Sequence, residues 1–377
     1  MEADRSSGGA FTLGVEEEYH LVDERTFALA SAPQAVAHAR AILGSDAQAE
    51  ISTTQLEVST PVCSSLAEVR QALVRARAGA AQGAARAGCR ILVSATHPTG
   101  TWQEQRLTSA VRYIDLLERW GLLALQQGIT GCHVHVGVPD RDTAVAVMDH
   151  SRPYLAVLRA LTGSSPYWEA TDTGYDSYRT QWYDRWPVTG VPDVLGTARA
   201  YDELVDRLVA TGFLGDASYL YWDVRPSLRW PTVEFRMADV CTELDDAVLY
   251  AALVRSLTRT LAGRASRGEA PMPLQAQLLR SARWRAARYG LSDTLVDHRD
   301  WSLRPAAEVV RGLVAELRAD LEEYGEYDEV AGLVEDLLGR GTSAQRQRDV
   351  LARSGGDLDA VTRWIAEVGV DRAVAVG

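Results

Sequence analysis

The amino-acid sequence predicts an α+β fold, on three observations. Segments with strand character (11–22, 55–60, 90–96, 131–138, 219–224 and 231–240) fall in the first two thirds of the chain. Helical segments separate them irregularly, without the strict strand-helix alternation of a parallel sheet. From Leu244 to about Glu367 the pattern is helical.

Taken in order, Phe11 to Val22 reads as the first strand and Gln55 to Thr60 as the second, with a turn region between them. Ser65-Leu-Ala-Glu68 has the spacing of a capping box, so the Ala/Arg-rich run to about Gly88 is its helix. Arg90 to Thr96 reads as a buried strand, Ser109 to Gln127 as helical, and Gly131 to Val138 as an alternating strand. Asp140 to Thr162 has helical periodicity that Pro153 kinks or splits. The stretch from Ser164 to Gly196, rich in Trp, Tyr, Asp, Pro and Gly, reads as a long structured loop, a kind of segment that often carries function. A helix near Arg199 to Thr211 precedes the strands Tyr219 to Val224 and Pro231 to Val240. A second cap signal, Thr342-Ser-Ala-Gln345, opens one of the last helices. With no repeat and no low-complexity linker, the division is a flexible N-terminus (1–10), a catalytic α+β core (11–264) and a helical C-terminal part (265–377) of the same compact unit.

Composition removes several classes of function. A net charge of -12 argues against a general nucleic-acid binder, whose phosphate contacts need a basic face. No run of about 18 apolar residues suggests a membrane span. The chain contains no lysine and no asparagine. That excludes the P-loop lysine, a Schiff-base lysine and the kinase strand lysine together. Cys63, Cys89, Cys132 and Cys241 form no zinc-ribbon pattern, as expected of a reduced cytoplasmic protein.

Chemistry concentrates on strands in pairs two residues apart. Such residues share a face and lie about 6.6 Å apart along the chain. In Gly14-Val-Glu-Glu-Glu18, Glu16 and Glu18 point together while Glu17 faces away, and a hard divalent cation would relieve the repulsion between them. His133 and His135 repeat this geometry in Gly-Cys-His-Val-His-Val-Gly, fit to ligate a metal or to meet phosphate oxygens. Glu234 and Arg236 form a third pair, in which Glu234 suits a metal and Arg236 suits a carboxylate or phosphate. Glu57, among apolar neighbours, adds another acid. One sheet face collecting these groups fits magnesium-nucleotide phosphoryl chemistry.

The motifs GVEEEYHLVD, QLEVSTPVC, SATHP, GCHVHVGV, SSPYW with DTGYDSYR, YWDVRPS and PTVEFRMADVC occur in an order that resembles the carboxylate-amine ligase family, also called type 2 glutamate-cysteine ligase. The resemblance runs from about Gly14 to Arg255, with weaker echoes in ARWRAARYGL and GTSAQRQR. It implies a glutamine-synthetase-like curved antiparallel sheet with helices packed outside. It also implies ATP-dependent amide formation through an acyl phosphate, joining a small carboxylate such as glutamate to an amine, with homodimerisation left open. By motif match, Glu16, Glu18, Glu57, His133 and Glu234 surround Mg2+, with Glu57 and Arg236 catalytic and Arg236 meeting the γ-phosphate or the reacting carboxylate. Arg225 and Arg179 are implied substrate contacts, as are His97 and His135. Ser164 and Ser281-Ala282 depart from the Asn and Glu-Asn common in the family, which bears on the identity of the substrate.

Two rivals remain at this stage. A metal-dependent amidohydrolase also uses HxH on a strand, within a barrel of eight strand-helix units. A non-catalytic sensor would keep the ATP and amino-acid pockets without turnover.

Overall fold

Along the first strand, β1 (Leu13–Asp23), the side chains of Leu13, Val15, Glu17, Tyr19 and Leu21 are all at most 1% exposed. The period of two sends this set against the helix Leu66–Ala85 and leaves Gly14, Glu16, Glu18 and His20 on the opposite face. Glu17 is satisfied on the helix side. Arg77 donates to it through Nε at 2.9 Å and Nη2 at 2.5 Å, and the Tyr19 hydroxyl donates at 2.6 Å.

The computed structural model describes residues 11–374, so the expected flexible stretch 1–10 lies outside the described residues. Six further strands join β1 in one sheet: β2 (Ala47–Ala49), β3 (Gln55–Ser59), β4 (Cys89–Leu92), β5 (Gly131–Gly137), β6 (Val224–Pro226) and β7 (Thr232–Asp239). The order is β6-β7-β5-β1-β3-β2, with every pairing antiparallel. β5 pairs with Leu13–Glu17 of β1 and β4 with His20–Asp23, so the two strands share one edge of β1 in succession. The register of β7 on β5 shifts between Phe235 and Ala238, so that Arg236 and Met237 together oppose the single residue His133. Such a bulge bends its strand and re-aims a side chain. This is the mixed helix and antiparallel sheet that the sequence predicts, and it contains no eight-fold barrel among the described residues.

Several elements follow their sequence signals. Ser65 caps the helix Leu66–Ala85 by accepting from Glu68 N at 3.2 Å, while the Glu68 carboxylate turns back to Ser64 N at 2.7 Å. Thr342 and Gln345 form a complete capping box on Ser343–Arg353. Pro153 splits the predicted helix into Arg141–Ser151 and Leu155–Ala160, joined by a 3-10 turn.

Others differ. The presumed turn region holds a helix, Pro33–Leu43, whose N-cap residue Ala32 offers no side-chain cap and whose Pro33 occupies the first turn. Its buried face packs so closely on Leu66–Ala85 that a Cβ on Gly83 would lie 2.5 Å from Ala39 N. The predicted strand Tyr219 to Val224 is broken in two: Tyr221–Trp222 pairs in parallel with Thr189–Gly190, and Val224–Pro226 joins the main sheet. Between them the buried Asp223 bridges Arg159 (3.0 Å) and Arg283 (2.6 Å). The region read as continuously helical contains a hairpin, Thr294–Val296 with Leu303–Pro305.

The last helix, Leu358–Val374, returns to pack on Leu66–Ala85 and β4, with Gly369 against Val93. No helix among the described residues is long and apolar enough to cross a membrane.

Candidate active site

The sheet register aligns the polar pairs into one band. Across β2, β3 and β1, Gln48 is the partner of Glu57 and Glu57 the partner of Glu18. Across β1 and β5, Glu16 is the partner of His133. Farther along, His135 is the partner of Glu234 and Glu234 of Arg225. All of these residues, with Arg236 and Arg179, line one cavity of about 430 Å³, a size suited to small substrates.

At its centre, Glu16, His133 and Glu234 each offer one ligand atom, and these atoms lie within 4.8 Å of one another. His133 Nδ1 is 3.2 Å from Glu16 Oε2, and His135 Nε2 is 3.5 Å from Glu16 Oε1. Burial, with the charge of Arg236, pushes His133 down to about 4, so its ring is neutral near pH 7 and free to act as a ligand. Burial alone would lower His135, but the facing Glu16 and Glu234 raise it. Glu16 is held well below the usual carboxylate range: burial opposes this, and the imidazoles of His135 and His133 outweigh it. Burial likewise opposes the lowering of Glu234, which Arg225 (2.9 Å) and Arg236 enforce.

The other end of the band is acidic and lacks this compensation. Burial and then the charge of Glu50 push Glu18 up to about 8, even though Gly131 N donates to it at 2.7 Å. Glu57 is raised well above its ordinary value by burial and by Glu16, Glu50 and Glu18. Carboxylates forced together in a half-buried wall are the donor set that a hard divalent cation satisfies, and Mg2+ prefers oxygen ligands. On this observation the residues fit the ion.

The sequence-predicted residues do not all converge. Glu16, Glu18, Glu57, His133, His135, Glu234, Arg236, Arg225 and Arg179 line the cavity; His97 does not. Its Nε2 contacts the Phe27 carbonyl at 2.8 Å and its Nδ1 accepts from Gly100 N at 2.8 Å, so the ring pins a turn rather than meeting a ligand. Arg225 touches the cavity but is engaged internally. Its Nη1 donates to the carbonyls of Ala217, Ser218 and Leu220, and its Nε to Glu234. Arg179 is buried, with Nη1 3.4 Å from the Met237 carbonyl.

Sequence reasoning missed Glu50, Arg112, Tyr113 and Gln127, all of which line the cavity. Gln48 and Glu50 repeat the two-residue spacing seen on the other strands, but β2 is only three residues long and too short to display it. Arg112, Tyr113 and Gln127 come from a helix and a connecting segment, where no strand period marks them.

Comparison with known proteins identifies the family. The family model described as "Glutamate-cysteine ligase family 2(GCS2)" matches residues 12–363. A protein of Frankia alni named "Putative glutamate--cysteine ligase 2-2" is 40% identical over 374 residues, covering 95% of this chain and 97% of that protein. Among solved structures, a glutamate-cysteine ligase of Francisella tularensis in complex with AMP aligns with a TM-score of 0.71 at 14% identity, covering 97% of this chain and 89% of the other. A bifunctional glutathione synthetase of Pasteurella multocida aligns at 0.68 and 16% identity, covering 96% of this chain and 52% of that one. These two likenesses carry the fold, and the sequence match carries the family. The chain belongs to glutamate-cysteine ligase family 2.

Proposed function

We propose that this protein is an ATP-dependent carboxylate-amine ligase, forming an amide between an amino-acid carboxylate, glutamate in the first instance, and an amine such as that of cysteine. The observation that carries this reading is the band of Glu57, Glu18, Glu16, His133, His135, Glu234 and Arg236 across four neighbouring strands in one cavity. Glu16, Glu18, Glu57, His133 and Glu234 would hold Mg2+. When bound, the ion offsets negative charge on the nucleotide phosphates.

The chain's own residues supply position and charge. Arg236, aimed by the β7 bulge and paired with Glu234, faces the cavity as a fixed cation for the γ-phosphate or the reacting carboxylate. Arg225 acts behind it as a positioning residue, tying Glu234 to three backbone carbonyls. A substrate carboxylate oxygen attacks the γ-phosphorus and ADP leaves. The amine nitrogen then attacks the acyl carbon, expels phosphate and gives up a proton. No lysine or cysteine nucleophile is needed, consistent with a lysine-free chain and four buried free cysteines. The free thiols also fit a cytoplasmic setting.

The test is release of ADP and phosphate, with product mass confirmed, against pairs of carboxylates and amines. Release that requires both partners is the expected result. Tight ATP binding without turnover on any pair would favour a sensor, and zinc-supported hydrolysis without nucleotide would favour a hydrolase.

A further inference from the structure

The bulge that aims Arg236 is gripped from behind by groups that do not line the cavity. At its first residue, Arg236 N donates to the Asp223 carbonyl at 2.8 Å. At its second, the Met237 carbonyl accepts from Arg159 Nη1 at 3.0 Å. Arg159 in turn donates through Nη2 to Asp223 Oδ1 at 3.0 Å. Asp223 therefore holds one residue of the bulge through its own backbone and the other through its carboxylate. Both Asp223 and Arg159 are buried.

A buried carboxylate with half of its hydrogen bonds unmade is costly, and Arg283 completes the set. This arginine belongs to the segment ARWRAARYGL, on the helix Ala276–Tyr289 of the C-terminal part. Its Nε donates to Asp223 Oδ2 at 2.6 Å and its Nη2 to Asp223 Oδ1 at 3.0 Å, a two-pronged grip that fixes the plane of the carboxylate. The remaining nitrogen, Nη1, pairs with both oxygens of Asp184. Asp184 directly follows Tyr183, which lines the cavity, and Asp223 lies between Tyr221 and Arg225, which line it too. One guanidinium outside the cavity thus ties two stretches of its wall to the same helix.

We propose that Arg283 is a positioning residue: by fixing Asp223 it fixes the bulge, and through the bulge the guanidinium of Arg236. This rests on the ligase reading, in which Arg236 meets the γ-phosphate or the reacting carboxylate. Displacing such a group by about 1 Å costs about a hundredfold in rate. Arg283→Lys keeps the charge but not the planar fork, so the plane of Asp223 is no longer set.

Three variants test this: Arg283→Lys, Asp184→Asn at the exposed end of the bridge, and Arg264→Ala as a control. Arg264 pairs with Tyr154 and Glu316, and none of the three lines the cavity. For each variant, kcat and KM for ATP, glutamate and cysteine are measured well below its Tm, and amide hydrogen exchange is followed by mass spectrometry over residues 232–240 and 13–19. In Arg283→Lys, kcat falls about tenfold to a hundredfold while the KM values stay within about twofold of the wild type. Amides of 232–240 exchange faster and those of 13–19 do not, a local loosening that a general loss of stability would not give. Asp184→Asn leaves Asp223 paired and moves kcat the same way by a smaller factor; if Arg283→Lys does not fold, it decides on the same criteria. Arg264→Ala lowers Tm and keeps the wild-type kcat. Wild-type kcat in Arg283→Lys, an equal fall in Arg264→Ala, raised KM values with kcat held, or exchange that quickens uniformly would overturn the proposal. Failure of the ligase reading looks different: the wild type itself then releases no ADP with any pair of carboxylate and amine, while the exchange pattern still tests whether Arg283 holds the bulge.

Discussion

Glu18 and Glu57 are direct partners on neighbouring antiparallel strands, and both face the cavity. Opposed like charges destabilise a sheet, and burial with Glu50 nearby keeps protons on both: Glu18 is pushed up to about 8 and Glu57 well above its ordinary value. The fold therefore assembles an acidic wall at a cost that a bound cation would offset.

A pH dependence follows. A carboxyl whose native pKa exceeds its unfolded value binds more protons folded than unfolded between the two. For Glu18 this pair of values is 4.5 and about 8, so its contribution to stability falls as pH rises through that window. A magnesium ion held by Glu18 would displace its proton and bind more tightly as pH rises. The increase in Tm produced by MgCl2 is expected to be larger at pH 8 than at pH 6. Equal increments would remove Glu18 from the ion site.

Glu16→Ala and Glu234→Ala separate chemistry from support. Both are expected to lower kcat by at least about a hundredfold. Glu16→Ala should melt near the wild type, since its partners are imidazoles that can turn neutral. Glu234→Ala strands the buried Arg225 and Arg236 and should cost about 3–5 kcal/mol in urea unfolding. Normal turnover in either variant would exclude that side chain from the site.

Glu17, between two site acids in sequence, faces the opposite side of the sheet and is bound by Arg77. Glu17→Ala should lower stability by about 3–5 kcal/mol while leaving KM for ATP near the wild-type value at low temperature. A selective loss of nucleotide affinity would contradict this placement.

His97 and His133 should differ in kind. His97→Ala removes the anchor between the 97–100 turn and Phe27 and should cost about 1–3 kcal/mol with unchanged KM values. His133→Ala should lower kcat and weaken the magnesium-induced rise in Tm. If His97→Ala raised KM without destabilisation, its exclusion from the cavity would be wrong.

The strands and their polar faces were legible because a period of two is local: the EEE and HxH runs state their own geometry, and alternation on β1 separates Glu17 from Glu16 and Glu18. Partners outside a strand's own two-residue period were not legible. His97 reads as a site histidine until Phe27, seventy residues earlier, occupies its Nε2. Arg225 reads as a substrate contact until three carbonyls from its own strand approach claim its guanidinium. Gln127 lies in a connection where neither period applies, and the helix Pro33–Leu43 starts without a side-chain cap to announce it.

The last helix seats Gly369 against Val93 and offers its carbonyl to Arg77 at 3.2 Å, the same guanidinium that grips Glu17 beneath the cavity floor. The end of the chain thus acts as a keystone for the strand whose opposite side carries Glu16 and Glu18. Shortening or crowding the chain around residue 369 would slacken that floor, so an inactive truncated protein would have lost its alignment while keeping every reactive group.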